Sequence, residues 1–167
     1  DWAVGLDLSG SELVEQAFIG EGPVFTNVFT VGDEQPSAAI LMAIRDDSGA
    51  VTGLICVDLD LAHPRIANIL TPAGLGGNSY AELVDRNGLV VASTRPHRMW
   101  QFVDRANHFR TLIDDHETLV DTCHDCHSEA QAVVTGDPPR EIVAFAPLST
   151  APWGVAVRQA TDEALAF

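Results

Sequence analysis

Apolar residues along this chain repeat with two periods, and the changes of period mark its elements. Over 11–18 the spacing is helical: Leu13, Val14, Ala17 and Phe18 fall on one side behind Ser11, an N-cap residue type, and Gly20-Glu21-Gly22-Pro23 ends the run. The stretches 24–31, 37–45 and 50–59 are rich in β-branched and aromatic residues and are separated by turn clusters such as Asp46-Asp47-Ser48-Gly49. They predict consecutive strands, the last two forming a hairpin. Residues 61–70 predict a short helix carrying Ile66, Ile69 and Leu70, stopped by Pro72-Ala73-Gly74. A second hairpin is signalled by Tyr80-Ala81-Glu82-Leu83-Val84-Asp85, then Arg86-Asn87-Gly88, then Leu89-Val90-Val91-Ala92, because Asn-Gly accepts the positive φ of a tight turn. Strands at 141–147 and 153–158 follow, joined through Ser149-Thr150-Ala151-Pro152, and Thr161 opens a further helix.

Between the second hairpin and the last two strands, about 96–139, the chain changes character. This segment is polar and holds five of the six histidines. In its middle, 102–123, Phe102, Phe109, Leu112, Ile113, Leu119 and Val120 recur at near-helical spacing among charges, which predicts one or two helices. The whole reads as one α+β domain over 1–167: an antiparallel sheet with a helical insertion.

Composition narrows the setting. The chain has 167 residues and is 46% hydrophobic, enough for a full core and too apolar for a disordered tail. Nine arginines and no lysine face 24 acidic residues, a net charge of -15; such a surface repels nucleic acid and anionic lipid head groups. No apolar run reaches the roughly 18 residues of a membrane span, and residues 1–20 lack the basic start of a secretory signal. Trp2-Ala3-Val4-Gly5-Leu6 reads like the interior of a longer protein.

One pentapeptide carries specific chemistry. Cys123-His124-Asp125-Cys126-His127 fits the Cys-x-x-Cys-His pattern of c-type haem attachment, in which two thiolates add to the haem vinyl groups and the histidine binds iron. Random placement of three cysteines and six histidines gives about 0.002 occurrences in a chain of this length. Two other chemistries remain open for the pair: zinc held with His124 and His127, although no further Cys-x-x-Cys or His-x-x-x-His completes four ligands, and a disulfide or dithiol without the βαβ setting of a thioredoxin-type site. The third cysteine, Cys56, lies in Leu54-Ile55-Cys56-Val57 and is expected to pack as a small buried hydrophobe.

With haem attached, His127 is the proximal ligand and the opposite face of the iron decides the function. A second protein ligand favours electron transfer or redox sensing; an open position admits NO, CO or O2. His97, Met99, His108, His116 and His124 are the candidates, with His108 and then Met99 ranked first because they come from separate segments able to fold over the ring. In a continuous helix His116 lies about 16 Å before His127 on nearly the same side, which cannot bracket one porphyrin unless the helix breaks near Asp121-Thr122. Trp100, Phe102 and Phe109 are candidate walls of the haem pocket, and equally candidate packing residues. His63 before Pro64 reads as a surface loop residue, and Trp153 as a core anchor.

Four pieces of sequence resemble the Cache family, the PAS-like extracytoplasmic sensor domains of bacterial receptors: Gly22-Pro23-Val24-Phe25-Thr26-Asn27-Val28-Phe29; the hairpin around Asp46-Asp47-Ser48-Gly49-Ala50-Val51-Thr52-Gly53; Leu83-Val84-Asp85-Arg86-Asn87-Gly88; and Ala146-Pro147-Leu148 with Pro152-Trp153-Gly154-Val155. The resemblance implies a twisted antiparallel sheet flanked by helices. It also implies a periplasmic or cell-surface location, tethering to the membrane by flanking helices, and a homodimer in the full receptor. Amino-acid-binding members carry a Tyr, Arg, Trp, Tyr and Asp set around their pocket; here Arg98-Met99-Trp100 stands in the insertion and out of order, so amino-acid sensing is not carried over. The expected function is a receptor's sensor domain that reports redox state or a diatomic gas through one covalent haem c. The alternatives are an electron-transfer cytochrome and a small-molecule Cache domain with zinc or a disulfide at the Cys pair. No nucleophile, base and orienting group converge, so no reaction is assigned to the chain.

Overall fold

The computed structural model describes residues 10–30, 36–70, 77–104, 107–123 and 140–166. They fall into two compact units, Asp1–Asp60 and Leu61–Phe167.

In the first unit, α1 (Glu12–Ile19) follows Ser11, whose backbone is extended but whose hydroxyl makes no cap bond; Glu12 and Glu15 in the first turn complement the helix dipole instead. The other end is capped by Arg45, which donates through Nη2 to the carbonyls of Phe18 (2.6 Å) and Gly20 (2.9 Å). The sheet is built on the ten-residue strands β3 (Pro36–Arg45) and β4 (Val51–Asp60). On the other side of β3 the expected strand over 24–31 is two short pieces, β1 (Val24–Phe25) and β2 (Phe29–Thr30). At the break, Thr26 Oγ1 accepts the Ala39 N–H at 2.8 Å, so a side chain takes over a ladder bond. The β3–β4 turn is organised by Asp46, whose carboxylate accepts from Ser48 N, Ser48 Oγ and Ala50 N; these bonds hold its pKa below the ordinary 3.8. Val14 and Ala17 pack on Ala39 and Leu41, with Leu54 at the margin. Cys56 is exposed, which corrects its expected burial: α1 lies over β3, and Cys56, one strand further out opposite Leu41, is left uncovered.

The second unit holds a five-stranded antiparallel sheet in the order β6-β5-β9-β8-β7, with β5 (Tyr80–Asp85), β6 (Val90–Ser93), β7 (Leu119–Cys123), β8 (Glu141–Pro147) and β9 (Trp153–Ala160). The β5–β6 hairpin forms where Asn-Gly predicts it. Buried Asp85 accepts from Asn87 N and Leu89 N, and Gly88 adopts φ +82° with the Asp104 Cβ 2.5 Å from where a Cβ of its own would sit. A short helix α2 (Pro64–Asn68) is capped by His63, whose Nδ1 accepts the Arg65 N–H.

The insertion departs from the helical expectation. A single 3-10 turn (Pro96–Arg98) leads into residues that follow the outer edge of β6, with Trp100 N–H on Val90 O and Val103 N–H on Gly88 O. Helix α3 (His108–Asp114) then covers the sheet with Phe109, Leu112 and Ile113, packed on Val84, Val143, Phe145 and Ala156; the Phe109 and Phe145 rings stack at 4.6 Å. The helix does not run on to 123. His116 takes φ +53°, its N–H bonds to Ile113 O, and the Glu117 N–H reaches back to Leu112 O. That pair of bonds is a Schellman closure with histidine in the left-handed position. Beyond it Leu119–Cys123 extends and joins the sheet as β7, paired with β8 from Leu119 opposite Phe145 to Cys123 opposite Glu141. Of the one or two helices expected over 102–123 one forms, α3, whereas Leu119–Cys123, expected to be helical, is a strand; His124, Cys126 and His127 of the haem motif lie outside the described residues.

After β9 the chain enters α4 (Thr161–Ala164), as expected from Thr161. Among the described residues no helix is long and apolar enough to cross a membrane.

Candidate functional site

The antiparallel register places Tyr80 and Glu82 of β5, Ala156 and Arg158 of β9, and Glu141 and Val143 of β8 on one face of the second sheet. Towards α3 that face is apolar; towards the start of β5 it is charged. Glu82 is fully buried and is held by two arginines, Arg98 Nε on Oε1 at 2.5 Å and Arg158 Nε on Oε2 at 3.2 Å. Arg158 also faces Glu141 at 3.8 Å, and Glu141 accepts the Tyr80 O–H at 3.0 Å. The Tyr80 ring is covered by guanidinium groups, Arg95 at 3.9 Å and Arg98 at 5.2 Å from its centroid. Burial pushes the Tyr80 hydroxyl well above its ordinary pKa, against the opposing pull of Arg158 and Arg98. It therefore stays a proton donor to Glu141. A buried carboxylate is tolerable only when charge-paired and hydrogen-bonded, and in a chain of net charge -15 three of nine arginines gather here.

Cys123, the last residue of β7, lies in register with Glu141, and Glu141 with Ala160. The backbone of Cys123 thus stands beside the charged end of this face. His124, Cys126 and His127 lie outside the described residues. His108 opens α3 and is exposed, its backbone N–H on the Asp104 carboxylate; Asp104 itself packs at the Gly88 turn, towards the other end of the sheet from Cys123. Met99 is half-buried just after the 3-10 turn alongside β6. Edge strands β6 and β7 are four strand spacings apart, about 19 Å at ~4.8 Å each. The structure does not bring Met99 or His108 next to Cys123. Trp100 is half-buried with φ +67°, Phe102 and His97 are exposed, and Phe109 is part of the core. Among the described residues no group of three or more His, Cys, Asp or Glu is placed to hold a metal ion.

Sequence reasoning singled out Arg98 but missed its partners. The signals were present: Glu82 stands in the middle of the run Tyr80-Ala81-Glu82-Leu83-Val84, and Arg158 follows Trp153-Gly154-Val155-Ala156-Val157. Charged residues in buried strands point to one another.

With this geometry in view, comparison with known proteins gives the class. A Cache domain profile matches residues 7–166, and the chain belongs to the Cache family of sensor domains. Solved structures agree in fold. The extracellular domain of the histidine-kinase candidate mmHK1S-Z3 is 16% identical, with a TM-score of 0.63 over 87% of this chain and 52% of that one. The ligand-binding domain of the Pseudomonas fluorescens chemoreceptor CtaA, in complex with L-leucine, is 20% identical, with a TM-score of 0.58 over 98% and 64%. The periplasmic sensory domain of the Campylobacter jejuni chemoreceptor Tlp1 is 14% identical, with a TM-score of 0.57 over 92% and 56%. The chain spans about half to two-thirds of the length of these structures. No curated protein sequence matches it. Cache domains are homologous to extracellular or periplasmic sensor domains of membrane receptors, and the chain accordingly lies outside the cytoplasm.

Proposed function

We propose that this Cache domain is the input module of a membrane receptor and that a covalent haem c on the Cys123–Cys126 pair reads redox state or a diatomic gas. The donor set fits the group: two thiols at Cys-x-x-Cys spacing for the vinyl groups and the adjacent His127 for iron. When bound, the haem supplies a redox-active iron whose sixth position selects the stimulus. The chain's own part is to root the pair on a fixed strand. One observation carries the sensor reading over a plain electron carrier: the strand bearing Cys123 is in register, through Glu141, with Ala160 at the start of α4. A change at the pair is then felt next to the C-terminal helix. Homodimerisation, membrane tethering through flanking helices, absence of nucleic acid binding and absence of catalysis complete the reading.

The test is a pyridine haemochrome spectrum of protein matured in the periplasm, wild type beside Cys123→Ser/Cys126→Ser. A c-type band in wild type and none in the variant is the expected result. Wild-type protein with no c-type band refutes the haem.

A second reading rests on the arginine and tyrosine cluster: a small carboxylate ligand such as the L-leucine bound by CtaA. Against it, Arg98 is already engaged by the chain's own Glu82. A rise in melting temperature with L-leucine that is abolished in Arg98→Ala would favour this reading over haem.

A further inference from the structure

Helix α4 has only four residues, far short of the roughly 12–15 at which a helix becomes marginally stable alone. Its position is therefore set by the bonds it makes to the rest of the unit, and those bonds form a closed ring. Thr161 donates twice to the Arg140 carbonyl, from its N–H at 3.0 Å and its Oγ1 at 2.9 Å. Two residues on, the Glu163 carboxylate accepts from Asn78 N (3.1 Å) and Asn78 Nδ2 (2.8 Å). The Asn78 carbonyl accepts from Arg95 Nη2 at 2.6 Å, Arg95 lies over the Tyr80 ring, and the Tyr80 O–H reaches Glu141, the residue after Arg140. Gly77 makes room for this: at φ +53°, a Cβ there would stand 2.7 Å from Glu163 Oε2.

We propose that this ring is a coupling device that docks α4 to Arg140 and Glu141. The inference rests on the reading of the domain as a receptor input. Two arms leave α4 and both return to neighbouring residues at the start of β8, one directly and one by way of Asn78, Arg95 and Tyr80. A displacement of Arg140 and Glu141 loosens both arms together. Asn78 is the junction of the longer arm, since its N–H, side-chain amide and carbonyl each serve a different bond. Tyr80 is a positioning residue: it makes no bond to α4 and acts on it through Arg95 and Asn78.

Hydrogen exchange at the Leu165 and Ala166 amides, which bond to Thr161 O and Glu163 O, reads α4 directly. Tyr80→Phe deletes only the hydroxyl and is expected to raise exchange at both amides about five- to tenfold, the scale of one lost hydrogen bond. Glu163→Ala, which deletes the acceptor of both Asn78 bonds, is expected to do the same, and the double variant no more than either single one, because one chain of bonds is broken twice. Arg86→Ala, which breaks the Arg86–Asp114 pair elsewhere in the unit, is the control and is expected to leave both amides unchanged. Unchanged exchange in Tyr80→Phe, or effects of the two substitutions that multiply, would overturn the coupling. The measurement uses haem-free protein, so a negative haemochrome leaves it standing and its own failure leaves the haem reading untouched.

Discussion

Replacing Glu82 with glutamine is the sharpest probe of the charged face. The carboxylate is fully buried, and its partner Arg158 has only 6% of its side chain exposed, whereas Arg98 retains 16%. Glutamine preserves the volume and one acceptor but removes the charge that neutralises both guanidinium groups. Arg98 can recover part of the loss by turning to water. Arg158 cannot, and its remaining carboxylate, Glu141, stands at 3.8 Å. Breaking a buried pair from one side costs about 3–5 kcal/mol; with the Glu141 contact retained, the lower figure of about 3 kcal/mol applies. A urea slope of about 2 kcal/mol per M converts this to a midpoint lowered by about 1.5 M, read by far-ultraviolet circular dichroism. The double replacement Glu82→Leu/Arg158→Met removes charge from both sides and is expected to recover most of that loss. If Glu82→Gln unfolds within about 0.3 M of wild type, the carboxylate does not hold this face together and the reasoning fails.

Two further perturbations test separate parts of the argument. Gly88→Ala imposes a positive φ on alanine and drives its Cβ into Asp104, for an expected loss of about 2–3 kcal/mol and a melting temperature lower by about 5–10 °C in calorimetry; an unchanged melting temperature would show that the hairpin relaxes without cost. Arg86 holds the Asp114 carboxyl below its ordinary pKa of 3.8. A carboxylate with a lowered folded-state pKa stabilises above the unfolded value and loses that contribution as pH falls through the folded one. The stability gap between wild type and Asp114→Asn should therefore be present at pH 6, small because the pair is more than a third exposed, and vanish on acidification below 3.8; a gap independent of pH would assign it to something other than charge.

The strands were legible wherever local chemistry and tertiary burial agreed. Asn87-Gly88 marks a hairpin that forms, Thr161 starts a helix, and the apolar strands β8 and β9 pair as their pattern suggests. Legibility failed where a distant contact decides. Leu119 and Val120 continue the helical spacing of Leu112 and Ile113, yet the left-handed residue His116 and the open edge of β8 take them into the sheet. Cys56 has the neighbours of a buried residue, and only the placement of α1 leaves it exposed. The salt-bridged face was hidden because its members are scattered from Tyr80 to Arg158 and only the strand register collects them. Of the haem motif, the strand position of Cys123 was beyond sequence reasoning, since it follows from the same His116 turn.

The pairing of Cys123 with Glu141 closes the sheet on either side of 124–140. The ladder that ends at this pair takes its register from Leu119 to Thr122 and from Ile142 to Phe145, independently of that connection. Doubling such a connection costs only about 0.6 kcal/mol of closure entropy. Between Cys123 and Arg140 the length of the connection can therefore change while the β7–β8 register, and Arg140 as the acceptor that docks Thr161, stay the same.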